Sequence, residues 1–172
     1  MRGAQFSAVL LVIALATGLA GYYIGSSSTT PVEKTLVSVS TIAQHSIVGI
    51  EADLTAYVYR VVDGDTFDGF PCGRVRLADI NTPERGEAGY GETKEALTRL
   101  ILNKRVYLDV DDLYVMDQYN RLVAVVYVEY NSTHLLNVNK WLLANGYAKV
   151  SDYPNEFNPS DWNLIAKVSS YT

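Results

Sequence analysis

Short β-rich segments, each closed off by a turn, constrain this chain more than any other feature of it. Thr55–Val62 (TAYVYRVV) is β-branched and aromatic throughout and ends at Asp63-Gly64-Asp65, a turn sequence. Thr66–Phe70 and Arg74–Ile80 flank Pro71-Cys72-Gly73, so a second hairpin follows the first. Gly91–Leu102 then places Ala96, Leu97, Leu100 and Ile101 on one face at helical spacing, with Asn103 as its cap. Lys104–Asp112 and Arg121–Tyr130 read as two more strands. Thr133 is positioned to cap a helix over His134–Asn145, and Asn158-Pro-Ser-Asp-Trp162 opens a last short helix to about Val168. The expected order is βββ-α-ββ-α-α. Five short strands with a helix after the third suit a mainly β (α+β) fold, a five-stranded OB-type Greek-key barrel with about three helices, an architecture that binds nucleic acids and oligosaccharides.

The amino terminus belongs to a different regime. Phe6 to Ile24 is a run of 19 residues without a charge, preceded by Arg2 and followed by Gly25-Ser-Ser-Ser-Thr-Thr-Pro31. As a helix it would reach about 28 Å, near the roughly 30 Å hydrocarbon thickness of a bilayer. Two readings stand: a signal peptide cleaved near Ala20 after Gly18-Leu19-Ala20, or an uncleaved anchor ending in the interfacial pair Tyr22-Tyr23. Either one exports the rest of the chain. Residues 26–54 carry four charges and read as a tether, with Thr35–Ile50 (TLVSVSTIAQHSIVGI) apolar enough to pack in part on a domain spanning 55–172. His45 in that stretch has no cluster of potential ligands around it.

Charge and cysteine content exclude several chemistries. The net charge is −5, and residues 55–172 hold 12 basic against 16 acidic side chains, so no protein-wide basic field gathers long duplex. Single strands, bound locally, fit this balance better. One cysteine, Cys72, rules out an intramolecular disulfide, and with two histidines it rules out a Cys/His zinc centre. Any metal must be hard and held by oxygen.

Asp63, Asp65, Arg76, Asn81, Thr82, Glu84 and Arg121 are the polar residues that need explaining, several of them at expected strand ends. Singly, each has an ordinary interpretation as turn chemistry or surface charge. Jointly they supply what phosphodiester hydrolysis requires: oxygen ligands for a divalent cation, a carboxylate to hold or deprotonate water, and two guanidinium forks for a phosphate gaining charge.

Val62-Asp-Gly-Asp-Thr-Phe67, Val75-Arg-Leu-Ala-Asp-Ile-Asn-Thr-Pro-Glu84, Tyr90-Gly-Glu-Thr-Lys-Glu-Ala96, Asp117-Gln-Tyr-Asn-Arg-Leu122 and Leu136–Val150 resemble, in order, the successive motifs of the staphylococcal nuclease-like (thermonuclease) family, over about residues 55 to 165. The resemblance implies a calcium-dependent nuclease that cuts DNA or RNA and leaves 3′-phosphate ends. Asp65 would be a direct Ca2+ ligand, Thr82 would give its backbone carbonyl, and Asn81 falls on the second metal carboxylate. Glu84 falls on the water-activating carboxylate, Arg76 on the residue gripping the scissile phosphate, and Arg121 on the one that meets the developing charge. Asn81 keeps an oxygen but removes a negative charge, which weakens calcium binding. Asp79 is the nearest substitute, although an exposed strand carboxylate is its ordinary interpretation. The loop Arg85-Gly-Glu-Ala-Gly89 is shorter than the family's, and the last helix looks brief. Tyr119 and Tyr153, beside motif positions, are candidates to stack a base, with packing as the alternative in a chain of 13 tyrosines. A second function class stays open, a barrel that has lost catalysis and binds oligonucleotide or a protein. The sequence names no protein partner. Asn131-Ser132-Thr133 also satisfies the N-glycosylation sequon in an expected turn.

Overall fold

The structure, a computed structural model, describes residues 51–168. The expectations for Phe6–Ile24 and for the tether up to residue 50 lie outside the described residues. Among the described residues no helix is long and apolar enough to cross a membrane.

Strand β1 (Leu54–Val61) pairs antiparallel with β2 (Thr66–Phe70), which pairs with β3 (Gly73–Leu77). After a two-residue strand β4 (Ile80–Asn81) comes helix α1 (Tyr90–Ile101), then β5 (Arg105–Val110) and β6 (Leu122–Asn131). β5 pairs with both β1 and β6, and β6 returns to pair in parallel with β3, Val75 opposite Leu122. That last pairing closes five strands into a barrel, the mainly β OB-type arrangement expected from the order of segments.

Alternation explains why these segments are strands. In β1, Ala56, Val58 and Val61 are buried while Tyr57, Tyr59 and Arg60 face out, and in β5 Val106 and Leu108 are buried. The inward set joins Phe67, Val75, Leu77, Ala124, Val126 and Val128 with Leu97 and Ile101 of α1 in one core. Leu102 N–H returns to Thr98 O at the end of α1, and Asn103 takes a positive φ of 58° beyond it. Asn103 thus ends the helix as expected.

Three expectations are corrected. His134–Asn137 is not the start of a helix but a strand, β7, paired with β6 and with β9 (Ile165–Lys167). Leu135 and Leu136 are both buried yet belong to opposite faces, Leu136 in the barrel core and Leu135 in a second cluster with Ala78, Val125, Tyr127 and Ala166. An extended strand sends consecutive side chains to opposite faces, and here a cluster covers each face. The helix α2 is therefore Val138–Ala144, capped by Asn137, whose Oδ1 accepts from Lys140 N–H at 2.9 Å; Thr133 instead closes the β6–β7 turn, its N–H on Asn131 Oδ1. The expected last helix is a single turn at Asn158–Asp161 followed by β9, so the described residues hold two helices rather than three. Lastly, Arg74–Ile80 is not one strand. It breaks at Ala78-Asp79, where Asp79 adopts φ 52°, and Ile80–Asn81 pairs separately with β8 (Lys149–Val150).

One buried amide holds this break in place. Asn139 is fully buried; its Oδ1 accepts from Val126 N–H at 3.0 Å and its Nδ2 donates to Ala78 O at 2.9 Å and Ala124 O at 3.4 Å. It clamps α2 to β6 and to the end of β3. Asn139→Ala leaves those backbone groups unpaired in an apolar setting and is expected to cost about 2–4 kcal/mol. Equilibrium denaturant unfolding checks this, and a loss below about 0.5 kcal/mol would show that water replaces the amide without penalty.

Candidate nuclease site

The turn after β1 brings the first acidic group in. Gly64 packs so closely that a Cβ there would lie 2.6 Å from Thr82 Oγ1 and 2.6 Å from Thr93 Cγ2 of α1, which only glycine permits. The approach sets Asp65, 5% exposed, against the loop after β4: its Oδ2 accepts from Thr82 N–H at 3.1 Å and from the Thr82 hydroxyl at 2.8 Å. Arg76 Nη2 lies 3.3 Å from the same oxygen. The Arg76 guanidinium is anchored further on Leu77 O (2.7 Å) and Ile80 O (2.8 Å) and reaches Asn81 Oδ1 at 3.4 Å. Asp65, Arg76, Asn81 and Thr82 are one connected group.

The second arginine arrives from the parallel pairing of β3 and β6, because Arg121 immediately precedes Leu122, the partner of Val75. A tight loop orients it. Asp117 Oδ1 accepts from the N–H groups of Tyr119 and Arg121 at 2.9 and 3.0 Å, and Asp117 Oδ2 takes Arg121 Nε and Nη2 at 2.7 Å each. Burial pushes the Asp117 carboxyl up, but the Arg121 N–H groups outweigh it and hold it below its ordinary value. Arg121 Nη1 reaches the Thr66 hydroxyl at 3.4 Å, and that hydroxyl donates to Asp65 Oδ1 at 3.1 Å. Thr66 therefore links the two arginine sites. Neither Thr66 nor Asp117 was singled out from the sequence, though each stood in a quoted motif, Asp117 four residues before its partner.

Arg76 and Arg121 line one open cavity of about 670 Å3 together with Tyr119, Tyr153, Asp79 and Asn155. Tyr119 and Tyr153 are 68% and 56% exposed, so neither is spent on core packing, and the Tyr119 ring centroid is 5.2 Å from Arg121 Cζ. A second cavity, about 420 Å3, has the opposite character: Glu51, Asp109, Glu156 and Asp161 line it. There burial, then the charges of Asp53, Glu156, Glu51 and Asp112, push the Asp109 carboxyl up to about 7. Phosphate would be repelled from it. A third cavity, of about 660 Å3, is lined by Asn81, Thr82 and Lys149. Of the three, only the first is lined by both arginines, which makes it the candidate site.

One sequence expectation changes. Asp79 is not an exposed strand carboxylate; it is 1% exposed, and its Oδ1 accepts from Asn155 Nδ2 (2.5 Å) and Tyr153 N–H (3.3 Å). Burial raises its carboxyl above the ordinary value. It pins the segment bearing Tyr153 and does not join Asp65 and Asn81. Glu84 lies two residues beyond Thr82 on an exposed loop, where its N–H donates to Glu87 Oε2 at 2.8 Å. Among the described residues its carboxylate makes no hydrogen bond or ion pair, and it does not line the arginine cavity.

The donors around Asp65 suit a hard cation in kind, since Asp65, Asn81 and Thr82 offer only oxygen. Asp63 adds a neighbouring carboxylate: its Oδ1 accepts Asp65 N–H at 3.2 Å, and its carboxyl is raised by burial and then by the Asp65 charge. Repulsion between two such groups is what a bound cation relieves. Charge is sparse, however, and among the described residues no cluster of three or more His, Cys, Asp or Glu side chains is placed to hold a metal.

Residues 74–168 match the family described as "Staphylococcal nuclease homologue". The chain is 35% identical over 104 residues to a "Micrococcal nuclease" of Shigella flexneri, covering 56% of this chain and 58% of that protein. It is 36% identical over 81 residues to "Protein ParB" of Escherichia coli, 45% of this chain and 44% of that one. It is also 33% identical over 139 residues to an "Uncharacterized endonuclease" of Haemophilus influenzae, with coverage of 67% and 76%. The chain thus spans about half the length of the first two relatives.

Proposed function

The chain belongs to the staphylococcal nuclease family, and from that premise we propose that it is a nuclease hydrolysing phosphodiester bonds of DNA or RNA, single-stranded in preference to duplex, at the cavity between Arg76 and Arg121. The observation that carries the proposal is the pair of anchored guanidiniums on one cavity, joined through Thr66 to a buried carboxylate. A module that only binds has no need to bury Asp65 beside its phosphate-gripping arginine.

In this reading the scissile phosphate sits between the two guanidiniums. Arg76 keeps N–H donors beyond those spent on Leu77 O, Ile80 O and Asn81, and Arg121 keeps donors beyond Asp117 and Thr66. Their backbone and carboxylate anchors hold both forks ready before substrate arrives, so little reorganisation accompanies charge build-up on phosphorus. Glu84 accepts the proton of the attacking water; the water oxygen bonds to phosphorus as the bond to the 5′ oxygen breaks, and that oxygen takes a proton from solvent to become the 5′-hydroxyl, leaving a 3′-phosphate. Asp65, Asn81 and the Thr82 carbonyl would hold Ca2+, which would supply positive charge beside the phosphate. Tyr119 and Tyr153 stack flanking bases.

Glu84→Gln preserves shape but removes basicity, and turnover on a single-stranded oligonucleotide should fall by about two to four orders of magnitude with the circular dichroism spectrum unchanged. Arg76→Lys and Arg121→Lys should be comparably severe, because one ammonium cannot reproduce the fork. The exposed position of Glu84, away from the cavity, favours a second reading, a binding module without catalysis. Full activity of folded Glu84→Gln would remove Glu84 as the base, and binding without cleavage by the unaltered protein would select the second reading.

Asn81 tests the metal. Asn81→Asp should lower the calcium concentration that gives half-maximal activity, and Asp65→Asn should raise it or abolish activity. An unchanged calcium dependence in Asn81→Asp would show that some other group completes the ligand set.

We also propose export, with the catalytic domain outside the cytoplasm and Phe6–Ile24 as a membrane tether; the charge-free run is what supports it. In fractionated cells the full-length protein should stay with membranes after a high-salt wash and be removed by protease added outside. Full-length protein in the soluble cytoplasm would end the proposal, and release of a form beginning near Gly21 would replace the tether with a cleaved signal peptide.

A further inference from the structure

Tyr57, Tyr59 and Phe70 stand 50%, 55% and 73% exposed, an unusual concentration of open aromatic surface away from the arginine cavity. Their place on the sheet is regular. Thr66, Asp68 and Phe70 are alternate residues of β2, opposite in direction to the core residue Phe67, and so share the outer face. Across the strands Thr66 lies opposite Arg76, with Arg121 on its hydroxyl. Asp68 lies between Arg74 on one side and Arg60 on the other. Phe70 lies opposite Tyr57, which in turn faces Arg105 of β5. Three successive rungs, each about 7 Å from the next, therefore run from the proposed phosphate site to the aromatic pair.

The charge along this strip is as uneven as the aromatic content. Arg121, Arg76, Arg74, Arg60 and Arg105 are five of the 12 basic residues between 55 and 172, in a segment whose net charge is −4 (12 − 16). On the middle rung one carboxylate serves two guanidiniums: Asp68 pairs with Arg60 and, at 2.8 Å, with Arg74, whose side chains remain 58% and 43% exposed. The rung keeps a net positive charge facing solvent. Guanidiniums followed by stackable rings, continuous with a phosphate site and stepping at about the length of one extended nucleotide, form a surface complementary to single-stranded nucleic acid.

We propose that the outer face of β2 with its neighbours on β1, β3 and β5 is the path of the substrate strand on one side of the scissile phosphate, with a phosphate on the Arg74–Arg60 rung and a base stacked on Phe70 and Tyr57. This deepens the nuclease reading above and rests on it. The strip gives the strand a direction and a length, about three nucleotides from the cut.

The test uses the full chain and oligonucleotides with one cleavable link, extended by zero to four nucleotides on the 5′ or on the 3′ side. For the unaltered protein, KM should fall with extension on one side only, levelling off near three nucleotides. In the double variant Tyr57→Ala/Phe70→Ala that gain should be lost, raising KM for the extended substrate about tenfold while the shortest substrate is unaffected, and Phe70→Tyr should retain it. Thermal unfolding of the exposed-site variants checks that they fold. A double variant that keeps the whole gain, or a gain of equal size on both sides, overturns the path. Fluorescence anisotropy with labelled oligothymidylate in EDTA separates this from the parent reading. Length-dependent affinity that requires Tyr57 and Phe70, without cleavage in calcium, sustains the path and removes the nuclease; affinity indifferent to both residues removes the path whether or not cleavage occurs.

Discussion

A carboxylate buried to 5% exposure must be paired or it destabilises the fold, and Asp65 meets that demand with Thr82, Thr66 and Arg76 at once. Those partners come from β2, β3 and the loop after β4. Satisfying one charge therefore positions Arg76, seats the Asn81–Thr82 backbone and orients the Thr66 hydroxyl that Arg121 uses. The arrangement has a structural cause as well as a functional one, since pairing this group and building the site are the same event.

The sheet is covered unequally on its outside, and the division explains where function can sit. From β6 to β9 the outer face is closed by Tyr127, Leu135 and Ala166, with Phe157 and Trp162 packed over them. Asp79 ties the 153–155 segment to the break after β3, placing Tyr153 on the rim of the cavity rather than over that apolar layer. Among the described residues the outer face of β1 and β2 lacks this cover, and there the arginines and the exposed rings stand.

Most of the barrel was legible because its strands alternate between an apolar core and a polar exterior, as in Arg105–Val110. Legibility failed where both faces are apolar: Leu135-Leu136 satisfies a helical pattern and a two-sided strand equally well, and only the second cluster decides between them. The positive φ of Asp79 went unread although aspartate is among the residues that tolerate it, because Arg74–Ile80 otherwise reads as one continuous strand. In the site, Asp65, Arg76, Asn81, Thr82 and Arg121 are drawn together by the hydrogen bonds of Asp65, Thr66 and Arg76. Thr66 and Asp117 escaped notice because their roles are to hold another side chain, and such a role depends on a register that spacing alone does not reveal. Glu84 could be picked out by motif but not placed, because the loop bearing it is exposed and makes few contacts that would dictate its direction.

The parallel closure of β3 on β6 has a bearing on when the molecule acquires any chemistry at all. Arg76 and Arg121 are separated by β4, α1 and β5, and Asn139, which clamps α2 to β6 and to the end of β3, follows later still. No fragment made early in synthesis holds both arginines against a common cavity, and a chain kept extended by a translocation machinery or a chaperone holds the same residues tens of ångströms apart. A site built on both arginines exists only once β3 and β6 have paired, and until then the unfinished polypeptide presents no such cavity.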